Sequence, residues 1–375
     1  ATTAGYNICI GNGAGNGGLT TGDHNIVMGH AAGDALTSAA NSIMIGQSSG
    51  TSMTTGANNV AVGSETLYFC EAGAGNTAVG GLALKALVDA SNNTAVGYAA
   101  ADAITSGTTV VAVGNGALGA MTSGSDNVAV GVGAGGAVTT HQYNTFLGHQ
   151  SGRLCTDNQN VSVGAYSFYD ATSATNTVCV GGWAGENITT GDANTIVGKS
   201  AASSLQTGNN NTCIGYQAGD ALTTGGNNIV IGNGADASAV DVSNTVTLGS
   251  SSMGVLRCQQ TSITALSDRR DKKDIKDLDV GLDFINTLHP VKFTWNMRDG
   301  AKVDIKEAGF IAQELDESQN KFDAEEYLQL VLKDNPEKLE AAMGKLLPSM
   351  VKAIQELSAE IEELKKWKEE HTCCG

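Results

Sequence analysis

Reactive and charged side chains crowd together in one stretch of this chain, residues 265–278, ALSDRRDKKDIKDL, where Ser267 is followed at once by Asp268, Arg269, Arg270, Asp271, Lys272, Lys273 and Asp274. A serine hydroxyl becomes a useful nucleophile only when a base takes its proton, and a lysine amine can serve as that base if burial keeps it neutral. Other chemistry-bearing residues are scattered. GVGAGG (Gly131, Gly133, Gly136) has the glycine spacing of a dinucleotide-binding turn but no strand–helix–strand context, so nucleotide binding is set aside. His24, His30, His141, His149, His289 and His371 have no ligand spacing, and no metal or other cofactor is expected. No pair of carboxylates recurs at a pocket-like position, which leaves a glycan-cutting enzyme without support.

The elements that would position such a serine differ on its two sides. Residues 1–266 carry 18 Asp, Glu, Lys and Arg, and residues 267–375 carry 41, so two physically different regions meet at Ser267. The net charge of −17, with only Lys85, Arg153, Lys199 and Arg257 basic in the first region, argues against a nucleic-acid partner. No window is long and apolar enough for membrane insertion.

The first region is a repeat. The phrase Asn-(Thr/Val/Ile)-x-(Val/Ile)-Gly recurs, with asparagine in eleven of fifteen copies and Met or Leu before the glycine in three, its glycine at 11, 29, 46, 63, 80, 97, 114, 131, 148, 164, 181, 198, 215, 232 and 249, spaced by 17 apart from one gap of 18 and one of 16. The residue before the glycine is always aliphatic (Val62, Val79, Val96), the third after it is small (Ser49, Ala83, Ala100), and the seventh is usually apolar (Leu36, Leu87, Ile104). These three columns are assigned to the interior of a coil. A unit of 17 residues cannot bury a core alone, whereas stacked copies can, which predicts a parallel β-solenoid over 1–249 of fifteen coils, roughly 70 Å long at ~4.8 Å per coil. The recurring asparagine (Asn59, Asn76, Asn93) is read as an internal ladder of stacked amides. The middle strand residue (Val27, Met44, Ala61, Ala78) is assigned to the outer face by alternation, and a mostly apolar outer row calls for burial against identical chains in a homo-oligomer.

Cys9, Cys179 and Cys213 share one column and Cys70 and Cys155 another, too far apart for bridges within a chain, and read as small hydrophobes; Cys373 and Cys374 are read as reduced tail residues. The chain starts in mid-repeat, so further coils or another domain are expected before Ala1. Residues 250–266 read as a closing segment. Beyond them an α+β region ends in a helix whose Leu347, Met350, Ile354, Leu357, Ile361 and Leu364 are spaced 3, 4, 3, 4, 3, a coiled-coil pattern over 347–367 that a single amphipathic helix on its own domain would also produce.

SDRRDKKDI, LHPVKFTW, GFIAQEL and the terminal helix, in that order, resemble the C-terminal intramolecular chaperone, or auto-processing peptidase, domain of phage tail spikes and fibres of the endosialidase type, over residues 267–375. The resemblance implies a homotrimer in which this domain templates the β-structured fibre ahead of it and then cuts itself off. It implies Ser267 as nucleophile, Lys272 as base and Leu266–Ser267 as the scissile bond, a single-turnover activity with no external substrate. Where the family usually has an apolar residue before the lysine, this chain has Asp271, whose carboxylate favours the ammonium form and would weaken cleavage. A retained trimerisation cap without proteolysis stays open. The repeats resemble, less closely, the β-coils of trimeric adhesin heads. Together these imply a virion tail fibre or spike, assembled in host cytoplasm and extracellular in the mature particle, with other tail proteins and a host-surface glycan or receptor as partners. A surface adhesin, or an ice- or glycan-binding solenoid displaying its Thr-Thr turns, is the alternative.

Overall fold

A computed structural model describes residues 5–253, 255–257, 267–298, 300 and 302–372. The chain divides into two compact units, residues 1–250 and 251–375.

The first unit is a parallel β-solenoid. Fifteen three-residue strands, β1 (Ile8–Ile10) to β15 (Val246–Leu248), form one sheet in sequence order, each pairing in register with its neighbours. The turns are stacked as well: Thr105 N–H donates to Thr122 O at 2.8 Å, and Gly97 N–H to Val79 O at 2.8 Å. Successive coils are therefore bonded around most of their circumference. The 16-residue step is absorbed outside the strands, because β9 (Thr145–Leu147) and β10 (Val161–Val163) pair Thr145 with Val161 and Leu147 with Val163.

Strand parity is the reverse of that expected from the sequence. The middle residue points inward, with Val27, Met44, Ala61, Phe146 and Cys179 fully buried, whereas the residue before the glycine points out, with Met28 37%, Ile45 36% and Leu147 44% exposed. The asparagine fixes this. Asn211 is buried, its Oδ1 accepts Asn228 N–H at 3.1 Å and its Nδ2 donates to Gly225 O at 2.9 Å, so it must face inward. With a two-residue period, the strand centre two positions on faces inward too. Amide-to-amide contacts do occur, as from Asn93 Nδ2 to Asn76 Oδ1 at 3.3 Å, but the ladder rests mainly on backbone partners. The small column and the apolar column seven after the glycine are interior as expected: Ala83, Ala100, Leu36, Leu87 and Ile104 are all fully buried.

The interior is narrow, and its volume is shared between the strand centre and the residue six further on. Ala61, Ala78 and Ala112 are matched with buried Leu67, Leu84 and Leu118, and Ser162 with Phe168. Met44 and Phe146 are matched with Gly50 and Gly152; a Cβ on Gly50 would sit 2.7 Å from Met44 Sδ. The glycine closing each strand has a separate cause. Gly181 has φ +134° and an added Cβ would lie 2.5 Å from Gly198 O in the next coil, so only glycine lets the coils close on each other. Four cysteines, Cys70, Cys155, Cys179 and Cys213, are buried in this core as small hydrophobes, and burial pushes the thiols of Cys70 and Cys155 up to about 11 and that of Cys213 up to about 12. Such thiols are unreactive at neutral pH.

The second unit is α+β. A short helix α1 (Leu282–Ile285) is followed by the antiparallel hairpin β16 (Val291–Asn296) and β17 (Val303–Gly309), the helices α2 (Ala312–Lys321) and α3 (Glu325–Leu328), a small ladder of β18 (Val331–Leu332) with β19 (Glu340–Ala341), and the long helix α4 (Leu347–Thr372). Val280, Phe284, Leu315, Leu328, Leu330 and Leu346 form its core, with Phe284 edge-on to Phe322 at 5.5 Å. Glu356 on α4 accepts Leu282 N–H at 2.6 Å, capping α1 across 74 residues of sequence. The seam residues of α4 remain exposed, with Leu347 at 64%, Ile354 at 64%, Leu357 at 42% and Leu364 at 65%.

Gly181→Ala should destabilise the solenoid by about 3 kcal/mol or more, seen as a lowered midpoint in urea unfolding, since it adds positive-φ strain to a backbone collision. Glu356→Ala should cost about 1 kcal/mol and speed hydrogen exchange at the Leu282 amide, which loses its charged acceptor.

Candidate self-processing site

Ser267 and Lys272 are brought together by one turn. Asp268 (φ −68°, ψ 134°) is the N-cap of a single 3₁₀ turn over Arg269–Asp271, and its side chain accepts the Arg270 backbone N–H. Aspartate does this well because its short carboxylate reaches the free N–H two residues on. The turn closes with Lys272 N–H on Arg269 O at 3.2 Å, and Lys272 then returns to extended backbone (φ −122°, ψ 139°). This reversal folds the lysine side chain back along the segment, and Nζ lies 2.6 Å from Ser267 Oγ. Five residues in an extended strand would separate the two backbones by about 16 Å, so the tight turn makes the contact possible.

The second contact of the segment is an ion pair. Arg270 Nη2 lies 2.6 Å from Asp268 Oδ2, and Arg270 Nε is 3.1 Å from both carboxylate oxygens. The guanidinium beside Asp268 holds its carboxyl below the usual carboxylate range. Lys272 is thus paired with Ser267 rather than with Asp271, the neighbour whose charge the sequence sets against catalysis. Both dyad residues are exposed in the single chain. Leu266, the other side of the expected scissile bond, lies outside the described residues.

Chemically, the arrangement supplies a hydroxyl with an amine at hydrogen-bonding distance, the geometry a serine–lysine nucleophile needs. The Asp268–Arg270 pair was not singled out in the sequence, although a capping residue directly after the serine, followed two positions on by an arginine, is a readable signal. The other motifs have structural explanations. Gly131 belongs to the strand-closing column and Gly133 to the turn after it, with no helix beside them. Among the described residues there is no group of three or more His, Cys, Asp and Glu that could hold a metal ion, and no helix is long and apolar enough to cross a membrane. The turn threonines carry an outer ladder of their own, as Thr37 Oγ1 donates to Thr54 O at 3.1 Å and Thr189 Oγ1 to Gln206 O at 3.1 Å.

Residues 267–324 match the Peptidase_S74 family, described as chaperone of endosialidase. The match begins at Ser267 and runs through α1, the hairpin and α2. The first part of the C-terminal unit is thus similar to an endosialidase chaperone domain and follows an N-terminal β-solenoid in the sequence, a combination that fits a tail-fibre-like protein. No curated protein and no solved structure matches the chain.

Proposed function

We propose that this chain is the shaft and folding domain of a homotrimeric viral tail fibre or spike, in which the C-terminal domain aligns three solenoids and then separates from them by cutting Leu266–Ser267. The observation that carries the reading is the 2.6 Å contact of Lys272 Nζ with Ser267 Oγ at the first residue of the family match.

Two exposed apolar surfaces support self-association. On the solenoid, the outward strand positions form two parallel columns, one aliphatic and the other mixing Val and Ile with threonines such as Thr77 and Thr195; on one strand Ile229 and Ile231 are 40% and 38% exposed. On α4, the seam at 3,4 spacing is barer still, with Ile354 64% and Leu364 65% exposed. Unpartnered stripes of this kind are unstable in water, and identical chains side by side cover both. Helices associate through local contacts before long parallel ladders can form, so the seam sets the register that the solenoid then follows.

In this reading the serine cuts the peptide bond on its own N-terminal side. Neutral Lys272 accepts the Oγ proton as Oγ attacks the Leu266 carbonyl carbon. An O–C bond forms, the Leu266–Ser267 C–N bond breaks, and the α-amine of Ser267 leaves with the proton from Lys272. Water then hydrolyses the Leu266 ester, giving a free carboxylate and regenerating the hydroxyl. Because the amine is exposed in one chain, packing by partner chains supplies the desolvation that favours its neutral form, which couples the cut to assembly. Cleavage then makes assembly irreversible.

In this reading the protein is assembled in host cytoplasm and works extracellularly on the virion, joined to other tail proteins and meeting a host glycan or receptor. The alternative, an adhesin or ice-binding solenoid with a retained cap, predicts ligand binding by the shaft and an intact chain.

On denaturing gels the parent should resolve into fragments of 266 and 109 residues, while Ser267→Ala and Lys272→Ala stay at full length. Equal full-length bands in all three would remove the peptidase reading. The parental rate should climb with pH, since only the neutral amine accepts the proton. Leu357→Asp, which places a charge in the seam, should abolish the trimer in sedimentation velocity and slow cleavage at least tenfold.

A further inference from the structure

The segment 267–272 contains a contact that the serine and lysine do not themselves use. Asp268 caps the turn through Arg270 N–H at 2.9 Å while the Arg270 guanidinium grips the same carboxylate from the side. The two side chains are 41% and 88% exposed, so the pair adds little to global stability. Its effect is local. Apart from it the turn that carries Lys272 back to Ser267 is held by two backbone bonds of 3.2 Å, Asp271 N–H on Asp268 O and Lys272 N–H on Arg269 O, and a looser turn would let the long lysine side chain spread over many rotamers. A carboxylate that both caps the turn and is braced by a planar guanidinium confines the backbone of residues 268–271 to the conformation in which the amine meets the hydroxyl.

We propose that Asp268, braced by Arg270, is a positioning residue that holds Lys272 on Ser267 for self-cleavage; this rests on the reading of Ser267 and Lys272 as nucleophile and base. The test uses the full chain, with cleavage followed over time on denaturing gels and trimer yield followed by light scattering. Asp268→Ala should slow cleavage roughly tenfold or more at unchanged trimer yield. Asp268→Asn keeps an oxygen acceptor for the Arg270 N–H and should recover most of the rate, a rescue that a charge effect would not give. Arg270→Gln keeps the cap and removes the brace, and should fall in between.

Lys272→Ala separates the two levels of the argument. If it cleaves like the parent, or if the parent itself stays intact, the dyad reading fails and the positioning claim with it. If Lys272→Ala is silent while Asp268→Ala cleaves at the parental rate, the positioning claim alone is overturned. Asp268→Asn as slow as Asp268→Ala overturns the cap as its basis. Should Asp268→Ala also lower trimer yield, Arg270→Gln decides, and a parental rate in that variant overturns the inference.

Discussion

Each coil of the solenoid can exist only because the next one lies on it in register. Three-residue strands have no stability alone, and a 17-residue turn of chain leaves nearly all of its backbone donors and acceptors unpaired. The adjacent coil supplies the partners, in the strands, in the turns and through the buried asparagines. This constraint dictates the glycine after each strand, where a side chain would meet the next coil's carbonyl, and it favours an asparagine whose side-chain amide both accepts from and donates to the backbone of the next coil. It also explains why one coil of 16 residues is tolerated: Asn160 N–H still reaches Asn144 Oδ1 at 3.0 Å, so the shorter path is taken up in the turn.

Much of this was legible in the sequence because stacking imposes identity column by column. The period, the glycine and asparagine columns and the small interior column all appear as residue types recurring at fixed spacing. Parity did not, and the reason lies in size. A column of Val62, Val79 and Val96 looks like a core and a column of Ala61, Ala78 and Ala95 looks incidental, yet a narrow coil has room inside for alanine, and the β-branched residues suit the outer face of a sheet. The asparagine carried the answer, since it shares parity with the alanines and has to be inside. The trade between strand centre and the residue six later was also hidden, because no single column shows it; the pair Phe146–Gly152 makes sense only beside Ala112–Leu118.

The second unit shows the opposite balance. Its helix seam was legible from spacing, while the helix caps and the hairpin partners were not, since Glu356 meets Leu282 across a separation that no local pattern encodes. At the site, resemblance pointed to Ser267 and Lys272, and the turn that joins them became visible only with the backbone in hand. The charged run that marks the boundary proves to be divided: Asp268 and Arg270 bind each other, which leaves Lys272 for the hydroxyl. Opposite charges packed together in sequence thus serve to sort partners as much as to solvate the surface.

The shared interior volume bears on how such a repeat can change over generations. Phe146 presses on Gly135 of the preceding coil as well as on Gly152 of its own, with an added Cβ on Gly135 only 2.8 Å from the ring. A gene duplication or unequal crossover that copied or removed one 17-residue segment would preserve the backbone ladder yet bring a bulky centre against a leucine, or two alanines against an empty space. Shafts of this kind should therefore lengthen and shorten in blocks whose ends fall where small residues already face small ones, such as around Ala95 and Ala101, so that the history of recombination is written in the packing rather than in the repeat length.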